Sequence, residues 1–460
     1  MRLDLSRWIL LLPALYLSTS SLRGEEIWVD GERGDDSSLG TWEQPLATIK
    51  AGLERLQPGV TLHILPQEKP WPTDIRITRS GTAEEPIVID GHGSLASGRR
   101  EVPLEEWTRN EDGSYQRPLP NNAWGMASHW EGGFPLVWFD GEAGKNVTSR
   151  EELVSGSYFL YKNRAEQRTD PLHNTLFIRP PEVVNGDSVR IETITREGGI
   201  FVGGDHVVVK NFVVEYGGRD GYATHRNTGV VFENVEARYF MDQGMSHHGA
   251  EVVVRDSWFH HNAGAGIVDV YSEAKVTYEN CRIEFDTWRG GVEFHSGEFQ
   301  MIGCEIRANP QKGITVTKGA TLLLRDSLVE GGGQEKEGLV GIKLGEGSAL
   351  RVMNTTIRGF STALETTINA QTELTVDSCL FEGNDRHLDF SEMHRKGRAA
   401  FSAEDRVTLK KNHFEAAGFR HVLKRESDTG WRVETDMFTA TQYDAFSARW
   451  GGDSTSSSED

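Results

Sequence analysis

The sequence lacks a basic surplus, has only three cysteines, and carries no apolar run long enough to cross a bilayer. Each shortage excludes a class of protein. Lys and Arg number 49 against 69 Asp and Glu, for a net charge of −20. No cationic excess exists to replace phosphate counterions, so a nucleic-acid partner is not expected. The same balance disfavours anionic lipid surfaces, although a local basic cleft remains compatible with it. Three cysteines do not build a disulfide framework. The apolar stretch Trp8 to Leu17 has ten residues, where a spanning helix needs about 20. With Arg2 and Arg7 before it and Ser18 to Ser21 after it, it reads as an export signal. The mature chain is then expected to start near Gly24 or Glu25, secreted, periplasmic or in the cell envelope, with no membrane insertion. Aromatic residues are few, at 9%, and Gly is abundant, at 50, as suits many turns and short strands.

What the sequence does have is a period. "GVVFENVEARYF", "EVVVRDSWFHHN", "KVTYENCRIEF", "TLLLRDSLVEG" and "ELTVDSCLFEGN" each set an alternating apolar run before a small or polar residue and a second apolar strand. Anchors at Asn211, Asn234, Asp256, Asn280, Gly303, Asp326, Asn354, Asp377 and Asn412 are spaced by 23, 22, 24, 23, 23, 28, 23 and 35 residues. Self-similarity at such a period, with period-two alternation and no room for a crossover helix, predicts an all-β solenoid. Cys281 and Cys304 follow consecutive anchors, in a column shared with Ser257, Ser327, Thr355 and Ser378, and read as small stacked interior residues.

Before the repeats, Ile27 to Asp30 predicts a strand and Pro45 to Leu56 a short amphipathic helix, a cap that closes the open end of the coil. Gly34-Asp35-Asp36-Ser37, Gly40-Thr41, Pro45-Leu46-Ala47-Thr48-Ile49 and Pro58-Gly59, followed by Ser80-Gly81-Thr82 and Pro86 to Gly91, carry a resemblance. This opening resembles that of the secreted right-handed parallel β-helix (pectate-lyase-like) proteins, among them polysaccharide lyases, glycoside hydrolases and epimerases. The resemblance implies the fold rather than one reaction. The chain lacks the Asp-Pro-His-Asp signature of alginate epimerases of this fold and an Asp-rich calcium motif like that of pectate lyases.

From His92 to Arg196 the period disappears and aromatics gather: Trp107, Trp124, Trp130, Trp138, Tyr115, Tyr158, Phe159, Tyr161 and Phe177. They predict an inserted β-rich subdomain, its rings either stacking on sugars or forming a small core. The expected organisation is an export signal (1–24), cap and first turns (25–91), insertion (92–197), β-helix core (198–420), and a C-terminal cap with a polar tail (421–460). A short helix over Thr441 to Trp450 would close the last turn.

Each period also holds a strand before its anchor. Read for phase, the outward residues form two columns. Ala223, Ser246, Asp269, Glu293, Thr315 and Lys343 make one; His225, His248, Tyr271, His295, Thr317 and Gly345 make the other. Parallel neighbours lie about 4.8 Å apart, so Asp269 and Glu293 are expected side by side, where one must hold a proton or a cation such as Ca2+ must bridge them. Offsets from strand to anchor alternate between eleven and twelve residues, and a one-residue shift would exchange the faces. On this reading His248, Tyr271, His295, Asp269 and Glu293 are candidate catalytic groups. His225, Arg289, Lys312 and Lys343 are candidate substrate contacts. The expected activity is β-elimination on a uronate-containing polysaccharide. The alternatives are hydrolysis by the Asp269/Glu293 pair and a non-catalytic glycan-binding envelope or adhesion protein.

Overall fold

The computed structural model describes residues 24–119, 130, 132–163, 165–166, 169–182, 189–287, 290–332, 336–396, 401–402, 405–415, 417–427, 430–450 and 457–458. The expected export signal, except for Gly24, and the residues Trp124 and Arg289 lie outside them.

Short alternating runs separated by single bend residues can neither form helices nor pair antiparallel with their own continuation, so they stack on the equivalent runs one turn away. The chain winds into a right-handed parallel solenoid. Its middle turns have three strands each, for example Met245–His248, Glu251–Arg255 and Trp258–His260. The first strand of each turn joins one sheet, which runs from Ile75–Ile77 through Tyr222–His225, Ala265–Val270, Gly290–His295 and Lys312–Thr317 to Gly418–Ser427. The second and third strands of each turn build the other walls.

Inward residues stack in registered columns. Val254, Tyr278, Met301, Leu324, Val352, Val376 and Leu409 pair in succession, all at most 1% exposed. Phe259, Ile283, Ile306, Val329, Ile357, Phe381 and Phe414 do the same on the third wall. Each such side chain contributes about 1.5–3 kcal/mol by leaving water.

The bend between the second and third strands is made by one residue in the left-handed region. Asn211, Asn234, Asp256, Asn280, Gly303, Asp326 and Asn354 occupy it with φ between +46° and +65°. This is the backbone that Asn, Asp and Gly adopt most readily. In the last two turns the bend falls on Ser378 and Lys411, one residue away from the expected Asp377 and Asn412. Asn412 is drawn inside instead, where its Oδ1 accepts from the Cys379 N–H at 3.0 Å and its Nδ2 donates to the Val376 carbonyl at 2.9 Å. Cys379, not Ser378, therefore continues the interior column of Ser257, Cys281, Cys304, Ser327 and Thr355. The three cysteines are buried free thiols.

A second polar ladder lines the corner between the third strand and the next turn. The Asn262 N–H donates to Asp286 Oδ1 at 2.8 Å, and the Asp286 N–H donates to Asn309 Oδ1 at 3.0 Å. Burial drives the Asp286 carboxyl well above the usual range.

The capping helix is shorter than expected, Ile49–Glu54, with Thr48 Oγ1 accepting from the Ala51 N–H at its N-terminus. At the other end Gly418–Ser427 pairs antiparallel with Gly430–Phe438. Tyr443, Phe446 and Trp450, from the helix Tyr443–Ser447 and the turn after it, bury against Phe390, Phe414 and Phe419.

The coil is interrupted after Ile87–Ser97. A four-stranded and a five-stranded sheet between Arg99 and Ile194 form the insertion. Trp107, Trp130, Trp138 and Tyr158 are 5% exposed or less, so they are core residues of the insertion and offer no stacking face for sugars. The coil then resumes as if uncut: Ile75–Ile77 pairs directly with Ile200–Val202.

The bend position carries a two-way prediction. Lys411→Gly removes left-handed strain and should raise stability by about 0.5–1 kcal/mol, whereas Asn280→Val should lower it by about 1–2 kcal/mol. Chemical denaturation midpoints of the two variants check both signs.

Candidate functional site

The first-strand sheet presents the outward columns, and its register corrects one turn. Ser246 pairs with Val268 and Val268 with Glu293; His247 pairs with Asp269 and Asp269 with Phe294. The strand Ala265–Val270 is thus shifted by one residue from the expected phase. The shift places Ile267 in the interior column between Met245 and Val292. It also keeps Gly266 at a corner where a Cβ would lie 2.3 Å from the Ile283 side chain and 2.9 Å from the Gly291 carbonyl. The larger apolar side chain and the tight corner together outweigh the cost of turning a carboxyl inward.

Asp269 is therefore fully buried rather than beside Glu293. Its Oδ2 accepts from the Tyr278 hydroxyl at 2.7 Å and its Oδ1 from the His247 N–H at 3.0 Å. Burial outweighs both bonds and pushes its pKa up to about 8. His247 is buried too, stacked between Phe232 and Tyr278, and burial lowers its pKa to about 3. The Asp269/Glu293 pair does not form, and with it go the dyad of the hydrolytic alternative and the carboxylate pair that was to hold either a proton or a cation such as Ca2+.

The same shift breaks the row of His248, Tyr271 and His295. Val270 now stands between the two histidines. Tyr271 follows the strand with φ +81° and is 46% exposed. Its ring nevertheless swings back, with centroids 5.5 Å from His248 and 6.4 Å from His225. His225, His248 and Tyr271 form one cluster. His295 stands apart, its Nε2 3.5 Å from Glu293 and its Nδ1 3.3 Å from Lys318 Nζ. Lys343 Nζ is bound to Glu365 Oε1 at 2.7 Å, and Lys312 opens the strand two turns beyond the Tyr271 turn.

The cluster edges a cleft of about 260 Å³ at the N-terminal end of this sheet. Ala223, Ser246, His225 and His248 form one side; Arg76, Phe201, Arg219 and Asp220 line the rest, with Asp74 and Glu197. Asp74, Ile75 and Arg76 also line an adjoining groove with Lys50, Arg79 and Arg196. Lys50, Arg76, Arg79, Arg196 and Arg219 thus meet Glu54, Asp74, Glu197 and Asp220 on a near-balanced surface of an otherwise strongly acidic chain.

Titration in the cleft is displaced. Burial, then the neighbouring Asp242, raise Asp220 to about 7, against the opposing Arg219. His248 is held below its usual value by burial, then by His225 and Arg219, so near neutrality it is an uncharged base. Its Nε2 lies 3.2 Å from Ser246 Oγ.

Sequence reasoning missed Arg76, Arg79, Arg196, Arg219 and Asp220. The available signal was "GRDGYATH", which places Arg219 and Asp220 in the turn before a first strand, the position for which Arg289 was singled out. Arg76 and Arg196 are brought together only because the coil closes across the insertion.

Among known proteins, the model of the right-handed β-helix region matches residues 182–285 and 268–414. The chain belongs to the right-handed β-helix family. No curated protein matches it in sequence. Solved structures similar to this β-helix include XylC in complex with xylose, at 12% identity over 90% of this chain and 73% of that one, with a TM-score of 0.48. An alginate lyase from Paenibacillus sp. str. FPU-7 is 11% identical over 73% and 91%, with a TM-score of 0.41. The A-module of mannuronan C-5 epimerase AlgE4 from Azotobacter vinelandii is 11% identical over 84% and 94%, with a TM-score of 0.42.

The inward placement of Asp269 has a pH signature. Its carboxyl titrates near 3.8 when unfolded and about 8 when folded. The native state therefore keeps a proton that the unfolded chain releases, and the associated stability, complete below pH 4, is lost as pH rises through 8. Thermal scans at pH 5 and pH 9 should show the wild type losing more Tm across that interval than Asp269→Asn. An outward Asp269 would give parallel losses.

Proposed function

We propose that the protein is a secreted, carbohydrate-active β-helix enzyme that cleaves an acidic, uronate-containing polysaccharide by β-elimination. The observation that carries this reading is a cleft that brings His248, held below its usual pKa, together with Arg76 and Arg219, with the exposed Tyr271 ring 5.5 Å from His248 at its edge. Arg76 and Arg219 in the cleft, with Arg79 and Arg196 in the adjoining groove, offer guanidinium groups to substrate carboxylates on a surface that is near-balanced where the chain as a whole is acidic. Secretion rests on the first residues of the sequence, with Arg2 and Arg7 before a ten-residue apolar stretch.

In this reading Arg76 and Arg219 neutralise the uronate carboxylate, which acidifies the C5 proton. His248 takes that proton, the C4–C5 double bond forms as the C4–O bond breaks, and the Tyr271 hydroxyl protonates the departing oxygen. His225 crowds His248 and helps keep it uncharged. The reaction needs neither Asp269 nor Glu293.

Asp220 favours a second reading, hydrolysis. A carboxyl that titrates near 7 is suited to protonating a glycosidic oxygen. Absorbance of unsaturated products over a panel of uronate polysaccharides separates the two. Growth of absorbance is expected; reducing ends without absorbance would replace elimination by hydrolysis, and retention of polymer with neither would make the cleft a binding site. His248→Ala and Tyr271→Phe should each lower kcat by about 10²–10⁴-fold with folding intact. Full activity in both variants overturns the assignment. Asp220→Asn should retain turnover under elimination. Under hydrolysis it should abolish turnover, and the wild-type rate should fall as pH rises through about 7.

A further inference from the structure

The other walls of the coil hold a cluster that the cleft does not use. Trp28, His63, Asp90 and Lys210 pair in succession on four neighbouring strands. At this level the bend is wider than in any later described turn: Gly91, His92 and Gly93 stand opposite the single residue Asn211. His92 at φ +50° and Gly93 at φ +82° turn the chain back. The His92 ring thereby returns to the column, its Nε2 2.8 Å from His63 Nδ1 and its Nδ1 3.9 Å from Asp90 Oδ1.

We propose that His63, Asp90 and His92 form a binding site for a divalent first-row transition metal, with Cu2+ as the best-fitting ion. One donor atom from each lies within 4.8 Å of the other two, the sole such trio of His, Cys, Asp or Glu among the described residues. Two imidazoles and a carboxylate suit Cu2+, Ni2+ or Zn2+; Ca2+ and Mg2+ prefer all-oxygen sites. At metal–nitrogen distances of about 2.0–2.1 Å, nitrogens 2.8 Å apart subtend about 85–90° at the metal. That is the cis angle of a tetragonal ion, whereas a tetrahedral ion would need them about 3.3 Å apart.

The surroundings already orient the donors. Asp90 Oδ1 accepts from Asn211 Nδ2 at 2.9 Å and from the His92 N–H at 3.0 Å. The Trp28 ring lies parallel to His63, with centroids 3.9 Å apart and planes 13° apart. Such outer partners fix ligand geometry. Lys210 Nζ sits 3.2 Å from Asp90 Oδ2, so its ammonium competes for the carboxylate. His92 is exposed, which leaves the site open to solvent. Bound metal would tie the strand Thr61–Ile64 to Ile87–Ser97 across the latter's wide bend, and would stabilise the first turns by mass action.

The test is a titration of the full chain with Cu2+ as its glycine complex, read by electron paramagnetic resonance and by quenching of Trp28 fluorescence. One equivalent should give a tetragonal spectrum with two nitrogen ligands and raise Tm, and Trp28→Phe should lose the quenching. His92→Asn, which preserves the left-handed bend, should weaken binding at least tenfold. Lys210→Met should strengthen it several-fold, a gain that an unfolded variant would not show. Undiminished binding in His92→Asn, no gain in Lys210→Met, or displacement of Cu2+ by an equal concentration of Ca2+ overturns the proposal.

Discussion

Stacking of like turns decides where every side chain of this coil points, and the left-handed bend residue sets the phase of each turn. Parallel strands on a shared axis allow no local compromise, because a one-residue slip exchanges the inward and outward sets of the whole strand. Interior columns such as Val254 to Leu409 therefore do more than exclude water. They fix the register that carries the outward groups of the first strands into columns, and so determine which groups meet in the cleft.

The strand Ala265–Val270 shows that rule acting against intuition. "AGIVDVY" reads equally well with Val268 and Val270 inward, the phase that would line up two carboxylates on the surface. Packing chooses Ile267, and Asp269 follows it inside, where the Tyr278 hydroxyl and the His247 N–H receive it. Periodicity made the coil, its bend positions and most of its faces legible in the sequence, since these depend on residues a fixed distance apart. It could not supply the phase of a strand with apolar residues at both parities. Nor could it supply the cleft's arginines, which come from segments separated by the insertion and adjoin only after the strand at Ile75 pairs with the strand at Ile200. The last bends slipped for a related reason: Asn412 has better partners inside than at the corner.

Charge is distributed with similar economy. The chain as a whole is acidic, yet the surface at the N-terminal end of the first-strand sheet gathers Lys50, Arg76, Arg79, Arg196 and Arg219 from different turns and connections. Within it, burial and like-charge crowding raise the Asp220 carboxyl to about 7 and hold His248 below its usual value. The buried Asp269 and Asp286 are raised as well, but face only the interior. A displaced pKa in this coil therefore marks depth first, and only the displaced groups that border open space are placed to meet a ligand.

The bend column has a direction. Asn234 donates to Asn211, Asn211 to Asp90, Asn280 to Asp256, and Asn354 to Asp326. Every bond points toward the N-terminus, and every run ends on a carboxylate, which can accept but cannot pass the bond on. The column is thus punctuated into short sentences, each opened by an aspartate. A gene that lengthens by copying one turn meets this grammar. Copying an asparagine turn extends a sentence without loss, whereas copying an aspartate turn sets one carboxylate upon another.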